Sequence, residues 1–326
     1  MTDHTMVFIP LAGYFETQID EWARAVAAEV PQMRVVVVAP GDDPRPTLAE
    51  ADAAFGMLTP DMLAAAPRLR WLQAIAAAPP PEFFFPALVE HPVVVTNLRG
   101  VYRENLTNHI LAFVLAFARG LPRYTAQQAR AEWNRNLADI GVVDLAATTM
   151  LVVGVGEVGA LTAARARMFG MRVVGVDSFP ERVMAELDAL HHVDELDELL
   201  PDADWVVLTV PHTPVTEGMM HAGRFTSMKD TAFFINVGRG ETVKLDDLAA
   251  ALSSGAIAGA AIDVSEIEPL PPEHALWQCE NLIVTPHIGS FGSDTDIERQ
   301  RVIVDNAQRF VRGEPLRYVI DKALRY

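Results

Sequence analysis

The sequence predicts an α/β fold made of doubly wound parallel sheets, and three observations carry the prediction. Short apolar runs alternate with helix-length segments along the whole chain. The alternation falls into two series with a long helical pattern between them, and 326 residues suffice for two domains with a core each. The second series opens on a glycine-rich turn that follows an apolar strand and starts a helical pattern.

In the first series MVFIP is followed by FETQIDEWARAVAAEV, whose apolar residues recur at helical spacing. VVVVAP, FGML, RWLQAI and VVVTN then read as four further strands. A helical pattern from about Arg103 to Gly120 carries the apolar run ILAFVLAFA, too rich for an exposed helix and too short to cross a bilayer. The second series offers six strands: TMLVVGVG, MRVVGVD, DWVVLTVP, TAFFINVG, GAIAGAAIDV and NLIVTP. A last helical pattern from about Asp294 to Arg312 leads to the C-terminus. The proline clusters PPPEFFFP and EPLPP read as shaped loops.

Composition excludes several classes of function. A net charge of −17 and a pI near 4.9 argue against nucleic acid or an anionic membrane as partner, because both need a basic footprint. The single cysteine, Cys279, forms no internal disulfide and supports no cysteine-based metal cluster, so no metal is expected and a reducing cytoplasm fits best. The N-terminus has an acid at position 3 and no basic region before its few apolar residues, unlike a signal peptide.

Chemistry concentrates at the strand ends of the second series. In LVVGVGEVGA, Gly154, Gly156 and Gly159 have the G-x-G-x-x-G spacing in its proper strand-to-helix context. The first glycine makes the turn, the second admits a pyrophosphate close to the backbone, and the third lets the helix pack on the strand. Asp177 ends the next strand 18 residues after Gly159; its carboxylate can accept the adenosine ribose hydroxyls and repels a 2′-phosphate. NAD is therefore expected ahead of NADP, although Arg182, close behind, works the other way. Later strands end in Arg239, Asp263, Glu268 and His287. Singly, each has an ordinary reading: a solvated arginine in a turn, a helix cap, a surface glutamate, a loop histidine. Together, beside a dinucleotide fold, they supply a cation for a carboxylate, an acid for a carbonyl oxygen and a carboxylate to orient that acid. His109, His212 and Trp277 are left as packing or loop residues.

The run from Met228 to Ser290, with the glycine loop and VPHTPVT, resembles the D-isomer-specific 2-hydroxyacid dehydrogenase family, in particular its glyoxylate/hydroxypyruvate reductase-like branch. The resemblance implies hydride transfer between NAD(H) and a small 2-keto acid or D-2-hydroxy acid. It makes Arg239 the carboxylate anchor, His287 the proton donor and acceptor, and Glu268 its partner. It places Asp263 at the nicotinamide carboxamide, the backbone of Glu157 and Val158 at the pyrophosphate, and Val210, Pro211, Thr216 and Val237 along the cofactor cleft. It further implies two domains, Rossmann-like and flavodoxin-like, with a cleft between them: residues 1–98 and 290–326 for substrate, 99–289 for NAD. The ILAFVLAFA helix and the amphipathic RYTAQQARAEW would form a homodimer surface, the alternative being burial within one chain.

One departure touches the substrate. Where the family has an Ala-Gly-Val-Asp type loop that holds the carboxylate through backbone N–H groups, this chain has Ala77, Ala78, Pro79 and Pro80. Proline has no N–H to give, so Ala77 and Ala78 are the expected donors. Phe83, Phe84 and Phe85 follow closely and could face an apolar substrate chain or belong to the core. A second reading, a corepressor-like protein that senses NAD with little catalysis, is disfavoured by the intact Arg239, Glu268 and His287 set.

Overall fold

In the computed structural model, which describes residues 4–9, 16–135, 141–180 and 186–325, the chain divides into two compact units. The first comprises Met1–Val101 and Gly292–Tyr326, the second Tyr102–Phe291.

The first unit holds five parallel strands, β1 (His4–Phe8), β2 (Met33–Val37), β3 (Ala53–Phe55), β4 (Trp71–Gln73) and β5 (Val94–Thr96), in the order β2-β1-β3-β4-β5. The helices Glu16–Glu29 and Thr295–Arg312 pack together, which brings the C-terminal segment back to this unit. A fully buried polar network fixes that return. The Thr96 hydroxyl accepts from Trp71 Nε1 and donates to Gln73 Oε1, each at 2.8 Å, and Asn306 Nδ2 reaches the same oxygen at 3.2 Å. The strand expected at FGML lies earlier, at Ala53–Phe55. Gly56 ends it with φ +127°, and its N–H crosses to the Gln73 carbonyl at 3.0 Å. Phe83 and Phe84 are buried among Leu48, Leu63 and Leu88, with Phe85 packed against them, so these aromatics belong to the core.

The second unit holds seven parallel strands: β6 (Thr149–Val153), β7 (Arg172–Asp177), β8 (Ala189–His192), β9 (Trp205–Leu208), β10 (Phe233–Asn236), β11 (Gly259–Ile262) and β12 (Leu282–Val284). Their order, β12-β11-β10-β9-β6-β7-β8, reverses direction between β6 and β9, the switch point where such sheets bind ligands. β8 was not expected. Its sequence, ALHH, has neither an apolar run nor alternation, and as a half-buried edge strand it needs neither. The ILAFVLAFA run lies in the Arg103–Ala118 helix, where Ile110, Phe113, Val114 and Phe117 are buried against Met150, Val152 and Ile235. That face of the helix belongs to the core of this unit. Arg182 lies outside the described residues.

Candidate active site

The glycine turn after β6 has three distinct steric jobs. A Cβ on Gly154, whose φ is +91°, would sit 2.7 Å from Val210 Cγ1, and one on Gly159 would overlap the Gly154 carbonyl oxygen. A Cβ on Gly156 would meet nothing within 4 Å, so this glycine faces open space at the start of the Glu157–Met168 helix. That is the shape a pyrophosphate needs: a free approach to the first N–H groups of a helix, those of Glu157 and Val158 among them. Asp177, at the end of β7, braces the turn by accepting from Val155 N at 2.8 Å and from Phe179 N at 3.0 Å. Each oxygen keeps a second lone pair for a ribose hydroxyl. The residues present thus fit a dinucleotide.

Beyond β9, Val210 is wedged between two turns. Its Cγ1 occupies the space a Gly154 Cβ would take, and its carbonyl oxygen would lie 2.6 Å from a Cβ on Gly238. Val210 and Val237 are both buried. Thr216 bonds the Pro211 carbonyl at 2.6 Å and accepts from Thr213 N at 2.8 Å, so it braces the loop after Pro211. His212 is 3.8 Å from Glu217, too far for a hydrogen bond.

The Arg239 turn after β10 is built by buried side chains. Asn236 Oδ1 accepts from Gly238 N at 3.0 Å, and its Nδ2 donates to the Arg239 carbonyl at 3.1 Å. Thr242 Oγ1 donates to that same carbonyl at 2.5 Å. A Cβ on Gly240 would overlap the Ser265 carbonyl group, so the turn lies directly on the loop after β11. Lys244 Nζ ties the same loop down through Glu266 at 2.9 Å. Burial lowers the pKa of Arg239, while Glu241, Glu268 and Tyr102 oppose that; the guanidinium remains charged.

His287 and Glu268 meet as expected, His287 Nδ1 lying 2.9 Å from Glu268 Oε2. An ionised carboxylate has no proton to give, so Nδ1–H donates and Nε2 is left for chemistry. Glu268 Oε1 accepts from Ser265 N at 3.1 Å, which orients the carboxylate, and the Glu268–Pro269 peptide is cis. His287 itself has φ +54°, in the left-handed region. Asp263, at the end of β11, holds it there. The Asp263 carbonyl accepts from His287 N at 2.8 Å, and its carboxylate accepts from Ile288 N at 2.9 Å and Gly289 N at 2.8 Å. The Thr285 hydroxyl donates to Asp263 Oδ1 at 2.6 Å and lies 2.9 Å from His109 Nε2. Burial alone would raise the Asp263 pKa, but these bonds more than reverse it and hold it at about 2.

The Asp263 side chain is 1% exposed and its oxygens face the 285–289 segment, so it supports His287 from beneath. In the first unit the Ala77 carbonyl accepts from buried Asn97 at 2.6 Å, which sets the shape of the loop bearing Ala77 and Ala78. Sequence reading passed over Asn236 and Asn97, and left His109 as a packing or loop residue. Asn236 ends β10 and Asn97 follows β5, positions where a side-chain amide can replace a backbone turn; His109 gave no signal, being one of several polar residues in the first half of its helix. Among the described residues no group of His, Cys, Asp and Glu could hold a metal ion, and no helix is long and apolar enough to cross a membrane.

Residues 111–289 match a family described as D-isomer specific 2-hydroxyacid dehydrogenase, NAD binding domain. The chain is 32% identical over 272 residues to a glyoxylate reductase of Korarchaeum cryptofilum, covering 81% of each protein. It is 31% identical over 235 residues to a D-3-phosphoglycerate dehydrogenase of Methanocaldococcus jannaschii, covering 72% of this chain but only 44% of that relative's length. Among solved structures, a D-isomer specific 2-hydroxyacid dehydrogenase from Xanthobacter autotrophicus Py2 in complex with NADPH and MES superimposes with a TM-score of 0.83 at 29% identity, covering 99% of this chain and 100% of that one.

Proposed function

The chain belongs to the D-isomer specific 2-hydroxyacid dehydrogenase family, and from that premise we propose that it is an oxidoreductase interconverting a small 2-keto acid and the corresponding D-2-hydroxy acid with NAD(H). The observation that carries the reading is the His287–Glu268 pair at 2.9 Å, with Nε2 left over for proton transfer. A bound nicotinamide supplies hydride to substrate C2 in reduction and takes it back in oxidation. Protonated His287 gives its Nε2 proton to the carbonyl oxygen, while Glu268 at Nδ1 steadies the imidazolium and fixes the ring. Arg239 offers the planar fork that a carboxylate accepts and favours the negative charge growing on the reacting oxygen. Ala77 and Ala78 would assist through backbone N–H groups.

The pyrophosphate would lie against Gly156 and the N–H groups of Glu157 and Val158, and the adenosine ribose against Asp177. NAD is preferred to NADP because a 2′-phosphate would meet the Asp177 carboxylate. We place the protein in the cytoplasm as a homodimer. The dimer surface is moved from the buried ILAFVLAFA run to the segment after it, where Leu121 is 50% and Trp133 92% exposed. Following NADH consumption with a panel of 2-keto acids tests the enzymatic reading. Tight NADH binding with no turnover on any of them would favour the NAD-sensing alternative instead.

A further inference from the structure

The helix Arg103–Ala118 contributes a histidine that the reaction as described does not use. His109 is half-buried, its ring edge-on to Phe113 with centroids 4.4 Å apart. Its Nε2 lies 2.9 Å from Thr285 Oγ1 and 3.4 Å from Asp263 Oδ1. The proton inventory fixes how this contact works. Asp263 is ionised and can only accept, so the one hydroxyl proton of Thr285 must point at Asp263 Oδ1, 2.6 Å away. The Thr285 oxygen is then left to accept, and the group facing it must be a His109 Nε2–H donor.

A one-way chain results, from His109 Nε2–H to the Thr285 hydroxyl to the Asp263 carboxylate. The same carboxylate collects the N–H groups of Ile288 and Gly289, the two residues after His287. The neighbouring steric fit is equally tight. A Cβ on Gly289 would lie 2.8 Å from Asp263 Oδ2, 3.0 Å from His109 Cδ2 and 3.1 Å from Leu106 Cδ2. The imidazole of His109 therefore forms part of the wall against which the 285–289 segment is folded, and His287 sits in that segment with a backbone conformation that non-glycine residues rarely adopt.

We propose that His109 is a positioning residue for the acid/base group: through Thr285 and Asp263 it holds the segment that turns the His287 ring onto Glu268. The inference rests on the function proposed above for His287, but the hydrogen-bond chain itself can be tested without turnover. His109→Phe keeps an aromatic ring and removes the donor. His109→Gln keeps an N–H donor at nearly the same reach. Thr285→Val removes the relay at constant shape.

Two readouts are needed, amide hydrogen exchange at Ile288 and Gly289 in the whole chain, and steady-state kinetics with a 2-keto acid. H109F should lower the protection of both amides and reduce kcat by about 10- to 100-fold, the usual cost of a slightly misplaced reacting group, with KM little changed. H109Q should recover most of both losses. In the T285V background, H109F and H109Q should become indistinguishable, because the chain is already cut. Equal protection and equal kcat in wild type and H109F would overturn the proposal. So would an H109F defect that H109Q fails to relieve, or one of the same size in the T285V background, since either marks a packing role alone. Absence of keto acid turnover in the wild type would instead overturn the proposed function, and amide exchange would still decide whether the chain exists.

Discussion

Asp263→Asn is the substitution whose cost the structure lets us work out most directly. The Asp263 carboxyl is held at about 2, below its ordinary 3.8: its burial is outweighed by the nearby His109 imidazole and by bonds from Thr285, Gly289 and Ile288. At about 1.4 kcal/mol per pH unit, that depression corresponds to roughly 2 kcal/mol of stability. A second route gives a similar size. Asparagine has one acceptor oxygen where aspartate has two, so its NH2 would face a backbone donor, and a buried donor without an acceptor costs about 1–3 kcal/mol. The sign with pH follows from linkage. A carboxyl whose folded pKa is depressed contributes fully above its unfolded value, near 4, and loses that contribution as pH falls through about 2. The two-unit chain need not unfold in one step, so the assay is hydrogen-exchange protection at Ile288 and Gly289 rather than a single melting temperature. At pH 7 the variant should lose roughly 30-fold in protection, the equivalent of 2 kcal/mol. The gap to wild type should narrow as pH is lowered from 4 toward 2. A gap that is absent at pH 7, or that keeps its full size down to pH 2, would refute the claim that ionised Asp263 holds this segment.

The other predictions concern the remaining parts of the site. Asp177→Ala should narrow the preference for NADH over NADPH, measured as the ratio of kcat/KM values; a native protein that already works better with NADPH would show the strand end to be misread. Arg239→Lys keeps the charge and loses the planar fork, so it should raise KM for the keto acid and lower kcat/KM, whereas unchanged kinetics would return Arg239 to the role of a turn residue. Gly240→Ala drives a methyl group into the Ser265 carbonyl and should destabilise the second unit by about 1–3 kcal/mol while displacing Glu268. An alanine variant as stable and active as wild type would mean that the turn and the loop are not locked together. Light scattering at micromolar concentration should give a dimer, and a monomer would remove the Trp133 surface from consideration.

What was legible in the sequence was whatever has a short period or a fixed spacing. The central strand residues, such as MLVV in β6 and FFI in β10, are largely buried and correspondingly apolar, so they announce themselves. The Gly154, Gly156 and Gly159 spacing was equally plain, because Gly154 and Gly159 are each fixed by a close neighbour and Gly156 by the open space in front of it. β8 escaped because a four-residue edge strand carries no pattern. The apolar run in Arg103–Ala118 was visible as buried, but composition cannot say whether the same chain or a second copy covers it. The inward turn of Asp263 was hidden for another reason: it depends on Thr285, Ile288 and Gly289, more than twenty residues away, and on His109 from a helix in the first half of the chain. A resemblance names the residue, but which way its carboxylate points is set by partners that no local spacing reveals.

The strand order places β6, β7 and β8 on one side of β9 and β10, β11 and β12 on the other. The groups suited to a nucleotide come from the first three, and those suited to acid/base work from the last three. In evolutionary terms the sheet is hinged at a single seam. Substitutions near Asp177 can retune the nucleotide without disturbing the His287 pair, and substitutions around Glu268 can retune chemistry without touching the glycine turn. Val210, whose side chain fills the space above Gly154 while its backbone crowds Gly238, enjoys no such freedom. Any change there is felt by both halves at once, so drift in this protein should run along the two wings of the sheet and halt at that valine.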